Sequence, residues 1–263
     1  MPRKYTVGDV IAALEKIAPL RLQENFDNCG LQVGCPDATA TGALLCLDVT
    51  EQVVQEAIER RFNLIISHHP LLFFGLKHIT GTTENERIVA AAIKNDIAIY
   101  SSHTCIDNAP GGVSWRMAKK LDLVDVRTLD PRPDEPSAGC GVIGYLFAPL
   151  DQQDFLKLVK RKFAVPAIRY SGSAETVTKV ALCGGAGSFL LDKAKEQGAD
   201  AFISADFKYH ELQSNSGILA ADIGHFESEQ YTKEIFYETI RKKLRNFAVE
   251  FARTDTCRIK WLV

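Results

Sequence analysis

A strand–helix–strand pattern in the first half of the chain recurs 137 positions later, and this repeat limits the folds open to the sequence. In the first copy, apolar runs at 43–48 and 63–68 flank an amphipathic segment, which is typical of a parallel sheet covered by helices. The superimposed positions are Cys46 and Cys183, Val53 and Leu190, Ala57 and Ala194, Ile66 and Ile203, Ser67 and Ser204, and His69 and Asp206. Two unrelated units of this kind would also look alike, but the gap-free match favours a duplication.

A third apolar run follows in each copy, at 97–103 and 218–225, and each run ends in a histidine. Between the copies lies a segment with three prolines and no apolar periodicity, 127–139, which predicts that the boundary between the two lobes lies there. We expect an α/β fold of two pseudo-symmetric lobes, 1–128 and 129–263, each a mainly parallel sheet covered by helices.

The C-terminal segment predicts one helix over 226–245 and one further short strand over 258–263. Chain order does not by itself decide which lobe a segment joins. The last helix and strand could therefore also pack back on the first lobe.

Charge and hydropathy exclude several classes of protein. The chain carries 33 acidic and 31 basic residues, so its net charge of −2 gives no field that would attract nucleic acid or an anionic membrane. Its apolar runs are shorter than the about 18 residues of a membrane span. The seven cysteines are odd in number, scattered and free of CxxC motifs, which is typical of a reduced, cytoplasmic protein. We expect no membrane partner, and no nucleic-acid partner in the main function.

His68 and His69 stand at the end of the second apolar run, directly before Pro70. In open α/β sheets, ligands bind at the edge where the parallel strands end. Because Pro70 keeps His69 extended, the two imidazoles can turn toward two neighbouring ions. Alternatively, the pair serves only hydrogen bonding and packing.

Two further pairs of polar residues follow the third run of each copy. His103 and Asp107 lie on a loop, and a carboxylate just past a strand end is well placed to reach a metal. Alternatively, Asp107 is a turn residue that binds its own backbone. His225 and Glu229 are four apart at a predicted helix start, so they point the same way. Alternatively, they form a solvated helix start in which the glutamate suits the helix dipole.

Three imidazoles and two carboxylates from these clusters make a candidate ligand set: His68, His69, Asp107, His225 and Glu229. Nitrogen and oxygen ligands of this kind suit zinc, iron, manganese or cobalt rather than calcium. Five ligands are too many for one four-coordinate zinc that keeps an open position. The set instead fits two divalent ions roughly 3.5–4 Å apart that share a bridging carboxylate.

Two glycine-containing segments predict a role less specifically than the histidine motifs do. The segment CGGAGSF at 183–189, between a strand and a helix, is either an anion cradle or a tight turn. The segment NFDNCGLQVG at 25–34 is interpreted as structural, with Gly30 and Gly34 allowing a turn. Within it, Asn28 could reach the edge of the site.

The ordered motifs NFDNCGLQVG, SHHP, SSHTCIDNAPGG, CGGAGS and GHFESE resemble the NIF-three-like family, whose bacterial members are known as GTP cyclohydrolase 1 type 2 homologs. The resemblance runs over nearly the whole chain. It implies two related α/β lobes, a dinuclear metal site between them, and homohexamers built from dimers. It places the family's ligands on the same five residues, with Glu229 as the bridge, and His103 behind the ligands or on the substrate.

The predicted function is that of a dinuclear metal-dependent hydrolase, with a nucleotide or another small phosphorylated or cyclic-amidine compound as its substrate. Metal-activated water would attack, and His103 or Glu229 would carry protons. GTP cyclohydrolase activity is one member of this class and is implied by the resemblance alone. The alternative is a non-catalytic metal-binding scaffold or regulator that meets protein partners.

Overall fold

The computed structural model describes residues 4–262, which form two compact units. The first unit comprises 4–106 and 232–257, and the second comprises 107–231 and 258–262. The chain therefore leaves the first unit, builds the second, and returns to the first with its last long helix. The sequence prediction divided the chain once, after residue 128, and left the place of the last helix open.

The first unit contains a five-stranded sheet whose middle strands are parallel and buried. Its strands are β1 (Gly30–Val33), β2 (Ala43–Cys46), β3 (Leu64–Ser67), β4 (Ala98–Ser101) and β11 (Val249–Phe251). The strand order is β1-β4-β3-β2-β11, and within this sheet β1 alone runs antiparallel, against β4. Since β2, β3 and β4 are parallel, the residues that follow them meet at one edge.

Three helices of the first unit begin at hydroxyl caps, and its long helices each bury one apolar face. They are α1 (Val7–Glu15), α2 (Glu51–Arg60), α3 (Glu84–Lys94) and α10 (Thr232–Lys243), and the short α4 (Thr104–Asp107) leads into the second unit. The side chains of Thr6, Thr50 and Thr83 each accept a backbone N–H of the first turn that follows. On α2, Val53 and Ala57 are fully buried in the core of this unit.

The second unit contains a six-stranded mixed sheet. Its strands are β5 (Val124–Pro131), β6 (Gly139–Asp151), β7 (Arg169–Ser171), β8 (Thr176–Leu182), β9 (Ala201–Ser204) and β10 (Leu219–Asp222), in the order β5-β6-β8-β9-β10-β7. Its helices are α5 (Val113–Lys120), α6 (Gln152–Phe163), α7 (Leu191–Glu196), α8 (Tyr209–Gln213) and α9 (His225–Glu229). The strands β8, β9 and β10 are parallel, and the other pairings are antiparallel.

The two sheets share one arrangement. Each has three parallel strands in sequence, with a short antiparallel strand beside the third, namely β1 beside β4 and β7 beside β10. The predicted α/β class with two sheets and covering helices is confirmed. The second sheet is mixed rather than mainly parallel, because β5 and β6 extend it as an antiparallel hairpin.

The predicted boundary at 127–139 is wrong, because the whole segment lies within the second unit. Its residues belong to the hairpin of β5 and β6, in which Thr128 pairs with Val142. Pro131 ends β5, and the other two prolines lie in the turn, where a fixed backbone angle is favourable and no ladder N–H is needed. The proline cluster therefore marks a turn within a sheet and not a boundary between units.

Two predictions for the C-terminal segment also change. The structure has α9 and α10 where one helix was predicted over 226–245. The predicted strand over 258–263 is wrong for its described part, since 258–262 has no strand, and Val263 lies outside the described residues. The last strand is instead β11, which pairs with β2. Within residues 4–262, no helix is both long and apolar enough to cross a bilayer.

Candidate metal centre

Three histidines gather at the edge of the first sheet where its parallel strands end. His68 and His69 directly follow β3, and His103 lies just beyond β4. One ring nitrogen from each of the three lies within 4.8 Å of the others. His68 is fully buried, whereas the other two are partly exposed. The three imidazoles therefore form a cluster of candidate nitrogen ligands.

Each of these imidazoles is oriented by an oxygen atom at Nδ1. The distances from Nδ1 are 3.0 Å to the Ser102 carbonyl for His68, 2.8 Å to Asp48 Oδ1 for His69, and 2.9 Å to Asp27 Oδ1 for His103. Since carbonyl and carboxylate oxygens accept hydrogen bonds, Nδ1 donates to each of them, and in the neutral imidazole the lone pair is then on Nε2. Histidines that bind metals through Nε2 are held in this way.

Asp27, the acceptor for His103, accepts several further hydrogen bonds. Its side chain is buried, and besides His103 it accepts bonds from the amide of Thr104 at 3.0 Å, the Thr104 hydroxyl, and Cys29 Sγ at 3.1 Å. Burial alone would raise the pKa of Asp27, but the hydrogen bonds from His103 and Thr104 outweigh it and hold that pKa well below its usual range. Asp27 is therefore an ionised carboxylate that is bonded to Nδ1 of His103.

The second unit gathers the other predicted ligands. His225 and Glu229 lie at the two ends of α9, with Nε2 and Oε2 separated by 2.9 Å, and Glu229 is buried. A carboxylate oxygen of Asp107 lies within 4.8 Å of one from Glu229. Asp206, which follows β9, holds Nδ1 of His225 at 2.7 Å. His225 thus has the same Nδ1 arrangement as the three histidines of the first unit.

A glycine makes room for the Glu229 carboxylate. Gly185 has a φ of +62°, and a Cβ at this position would lie 2.0 Å from Glu229 Oε1. The amide of Gly185 donates to the Ser228 hydroxyl at 2.9 Å, and that hydroxyl donates to the His225 carbonyl at 2.8 Å. Any side chain at position 185 would therefore displace the carboxylate.

The hydrogen bonds of the glycine-rich segment at 183–189 are those of a tight turn. The amides of Gly184, Gly185 and Gly187 donate to the hydroxyls of Ser114, Ser228 and Ser204 at 3.3, 2.9 and 3.0 Å. Backbone N–H groups that already donate to hydroxyls cannot also form an anion cradle. Of the two interpretations offered by the sequence, the structure supports the turn.

Comparison with known proteins places this arrangement in a family. A profile of the Duf34/NIF3 (NGG1p interacting factor 3) family matches residues 5–258. The chain belongs to the Duf34/NIF3 family. This Duf34/NIF3 chain is 38% identical over 226 residues to the GTP cyclohydrolase 1 type 2 homolog of Clostridium perfringens, covering 85% of this chain and 86% of that relative. It is 31% identical over 251 residues to NIF3-like protein 1 of Drosophila melanogaster, covering 92% and 84%.

Solved structures give the same result for the Duf34/NIF3 fold. The crystal structure of Staphylococcus aureus protein SA1388 has a TM-score of 0.90 at 26% identity, and the match covers 98% of this chain and 99% of that one. The resemblance to the NIF-three-like family inferred from the sequence motifs is thus confirmed.

Sequence reasoning missed the residues that orient the Duf34/NIF3 histidines. The acceptors Asp27, Asp48 and Ser102 were not singled out, although Asp48 ends the first apolar run at the expected edge of the sheet. The internal sequence repeat did indicate Asp206, because that residue superimposes on His69. His103 was expected behind the ligands or on the substrate, and it lies beside the histidine pair as a third candidate ligand.

Asn28, the residue of 25–34 that could reach the edge of the site, bonds to the backbone of a neighbouring loop. Its side-chain amide donates to the Leu72 carbonyl at 2.7 Å. Asn28 therefore ties its own segment to the loop that follows the histidine pair.

Proposed function

We propose that this Duf34/NIF3 protein is a metal-dependent hydrolase with a dinuclear centre that would hold two ions of zinc, iron or manganese, with Glu229 as their shared ligand. The proposed ligands are His68, His69, Asp107, His225 and Glu229. One observation carries the proposal. Four histidines have Nδ1 held by an oxygen, which leaves Nε2 as the atom available to a metal, and this is the arrangement of metal-binding imidazoles.

The residues around such a centre have distinct tasks. Divalent ions supply Lewis-acid activation of water near neutral pH. His103 carries protons, because Asp27 fixes Nδ1–H and leaves Nε2 to accept and return a proton. The substrate is a nucleotide or another small phosphorylated or cyclic-amidine compound. The name of the Clostridium perfringens relative, GTP cyclohydrolase 1 type 2 homolog, supports this substrate class.

Elemental analysis of the purified protein tests the centre. We expect about two ions per chain in the wild type and one or none in Glu229→Gln. Glu196→Gln, which changes an exposed glutamate of the same unit, should keep both ions. Hydrolysis of GTP and other nucleotides should stop on chelation and return with one preferred metal. Activity indifferent to the chelator, or no tightly held transition metal under metal-replete conditions, would contradict the proposal.

A second candidate is a metal-binding scaffold or regulator that meets protein partners, which the family description as an interacting factor favours. A physiological role that survives in His68→Ala and Glu229→Gln would support the scaffold over the hydrolase. We also propose a homohexamer, to be measured by light scattering. All seven cysteines are free thiols, which supports a reducing, cytoplasmic environment.

A further inference from the structure

Three phenylalanines, Phe26, Phe73 and Phe74, form a contiguous cluster in the first unit, called here the aromatic platform. The ring centroids of Phe26 and Phe73 are 6.4 Å apart, and those of Phe73 and Phe74 are 5.0 Å apart. Phe26 is 67% exposed and Phe74 is 81% exposed. A contiguous exposed apolar cluster is a sign of a binding surface, whereas single exposed apolar residues are ordinary.

The aromatic platform leads directly to the candidate metal ligands. Phe73 stands nearly perpendicular to His103, with 6.2 Å between the ring centroids. The His103 ring in turn lies 5.2 Å from that of His68 and 5.5 Å from that of His69. Phe73 therefore connects the two exposed rings to the histidine cluster.

Hydrogen bonds hold the aromatic platform in place. The side chain of Asn28 donates to the carbonyl of Leu72, and the amide of Leu72 donates to Gln32 Oε1, both at 2.7 Å. Leu72 directly precedes Phe73, and Asn28 lies two residues after Phe26, so these bonds fix the two loops to each other. Preorganisation of this kind lowers the conformational entropy that the two loops must lose when a ligand binds.

The size of the aromatic platform indicates a small ligand rather than a protein. A phenylalanine side chain offers about 150–250 Å². At the observed exposures, Phe26 and Phe74 together present roughly 300 Å². A stable subunit contact buries about 800 Å² on each partner. The available area instead matches one flat ring system, and phenyl faces stack well on planar aromatic rings.

We propose that the aromatic platform binds a planar heteroaromatic ring of the substrate and holds it beside His103. This inference rests on the proposed hydrolase function, because it names the substrate class of the same centre. Stacking selects flatness and ring size rather than a particular base. The platform therefore favours a purine over a pyrimidine, and both over a ligand without a ring.

Calorimetric titration of the metal-loaded protein with three probes tests the proposal: GMP, UMP and ribose 5-phosphate. We expect affinity to fall in that order, with GMP binding at least about tenfold more tightly than ribose 5-phosphate. Phe26→Leu and Phe74→Leu should each weaken GMP binding by about tenfold, or about 1.4 kcal/mol, and leave ribose 5-phosphate binding unchanged. The matched control is Phe147→Leu, since Phe147 is 94% exposed but lies in β6 of the second unit.

Metal content and molar mass are measured on the same samples. If GMP and UMP bind no better than ribose 5-phosphate to protein that holds its metal, the aromatic platform does not bind rings, while the metal centre stands. If the Phe→Leu variants change the molar mass of the assembly and not GMP affinity, the platform is a subunit contact and the proposal is overturned. If the wild type holds no metal, the proposed function fails, and the order of the three affinities still decides the ring site.

Discussion

The backbone of Gly185 lies against the Glu229 carboxylate so closely that a Cβ at position 185 would be 2.0 Å from Oε1. Gly185→Ala should therefore displace the carboxylate and reduce the metal content to that of Glu229→Gln, as measured by elemental analysis. Gly198→Ala is the matched control, because Gly198 has a similar φ of +67° and no neighbouring atom within 4 Å of the added Cβ.

Both alanine variants incur the cost of a left-handed backbone, roughly 1–2 kcal/mol. A difference in metal content between them therefore reports the clash with Glu229 alone. Full metal content in Gly185→Ala would show that Glu229 is not a ligand.

Asp48 should act on metal affinity through His69, whose Nδ1 it holds at 2.8 Å. Loss of such an orienting carboxylate typically lowers metal affinity by about 10–100-fold. We expect this loss for Asp48→Ala in a chelator competition, and a smaller one for Asp48→Asn, whose amide oxygen still accepts from Nδ1. Asp37→Ala, at an exposed position of the same unit, should bind metal as the wild type does. Equal affinity in all four proteins would remove Asp48 from the site.

Asp27 should affect turnover more than metal binding, because it orients the proposed proton carrier and not one of the five ligands. We expect Asp27→Asn to keep its metal and to lower kcat by about 10–100-fold. The measurement is nucleotide hydrolysis, with metal content determined on the same sample. Loss of both ions in this variant would instead make His103 a ligand.

Ionised Glu86 should stabilise the first unit at neutral pH, and this stabilisation should be lost in acid. Hydrogen bonds from the side chain and the backbone amide of Thr80, and then from Thr82 and Thr83, lower the pKa of Glu86 from 4.5 to about 2. The stabilisation is complete above the ordinary pKa of 4.5 and is lost as the pH falls toward 2. Glu86→Gln should therefore have a lower urea midpoint than the wild type at pH 7, and the gap should shrink by pH 3.

Glu59→Gln, at an exposed position of α2, serves as the control for Glu86→Gln and should follow the wild type at both pH values. A gap between Glu86→Gln and the wild type that stays constant from pH 7 to pH 3 would mean that the ionised carboxylate contributes no stability.

The parallel strands could be predicted because each is a buried apolar run followed by polar residues. The same pattern placed His68, His69 and His225 at strand ends, where the structure has them. The antiparallel edge strands were missed, because β1 and β7 are three or four residues long and lack a continuous apolar run. The hairpin of β5 and β6 was missed because prolines in a turn and in a linker look the same in sequence.

The partners of the histidines could not be predicted, for a different reason. Asp27 and His103 are 76 positions apart, and their contact depends on how the loop at 25–34 packs against the end of β4. Local periodicity contains no information on such a contact. The bonds that Asp27 accepts from the amide and the hydroxyl of Thr104 are likewise products of tertiary packing.

The first unit is assembled from both ends of the chain, and this sets an order for its synthesis on the ribosome. The second unit is almost entirely continuous in sequence, so it can fold as soon as residue 231 emerges. The first sheet must wait, because β2 keeps an open edge until β11 is translated and pairs with it. A nascent chain that stalls before residue 249 thus exposes a β-strand edge that is prone to aggregation, beside a second unit that is already folded.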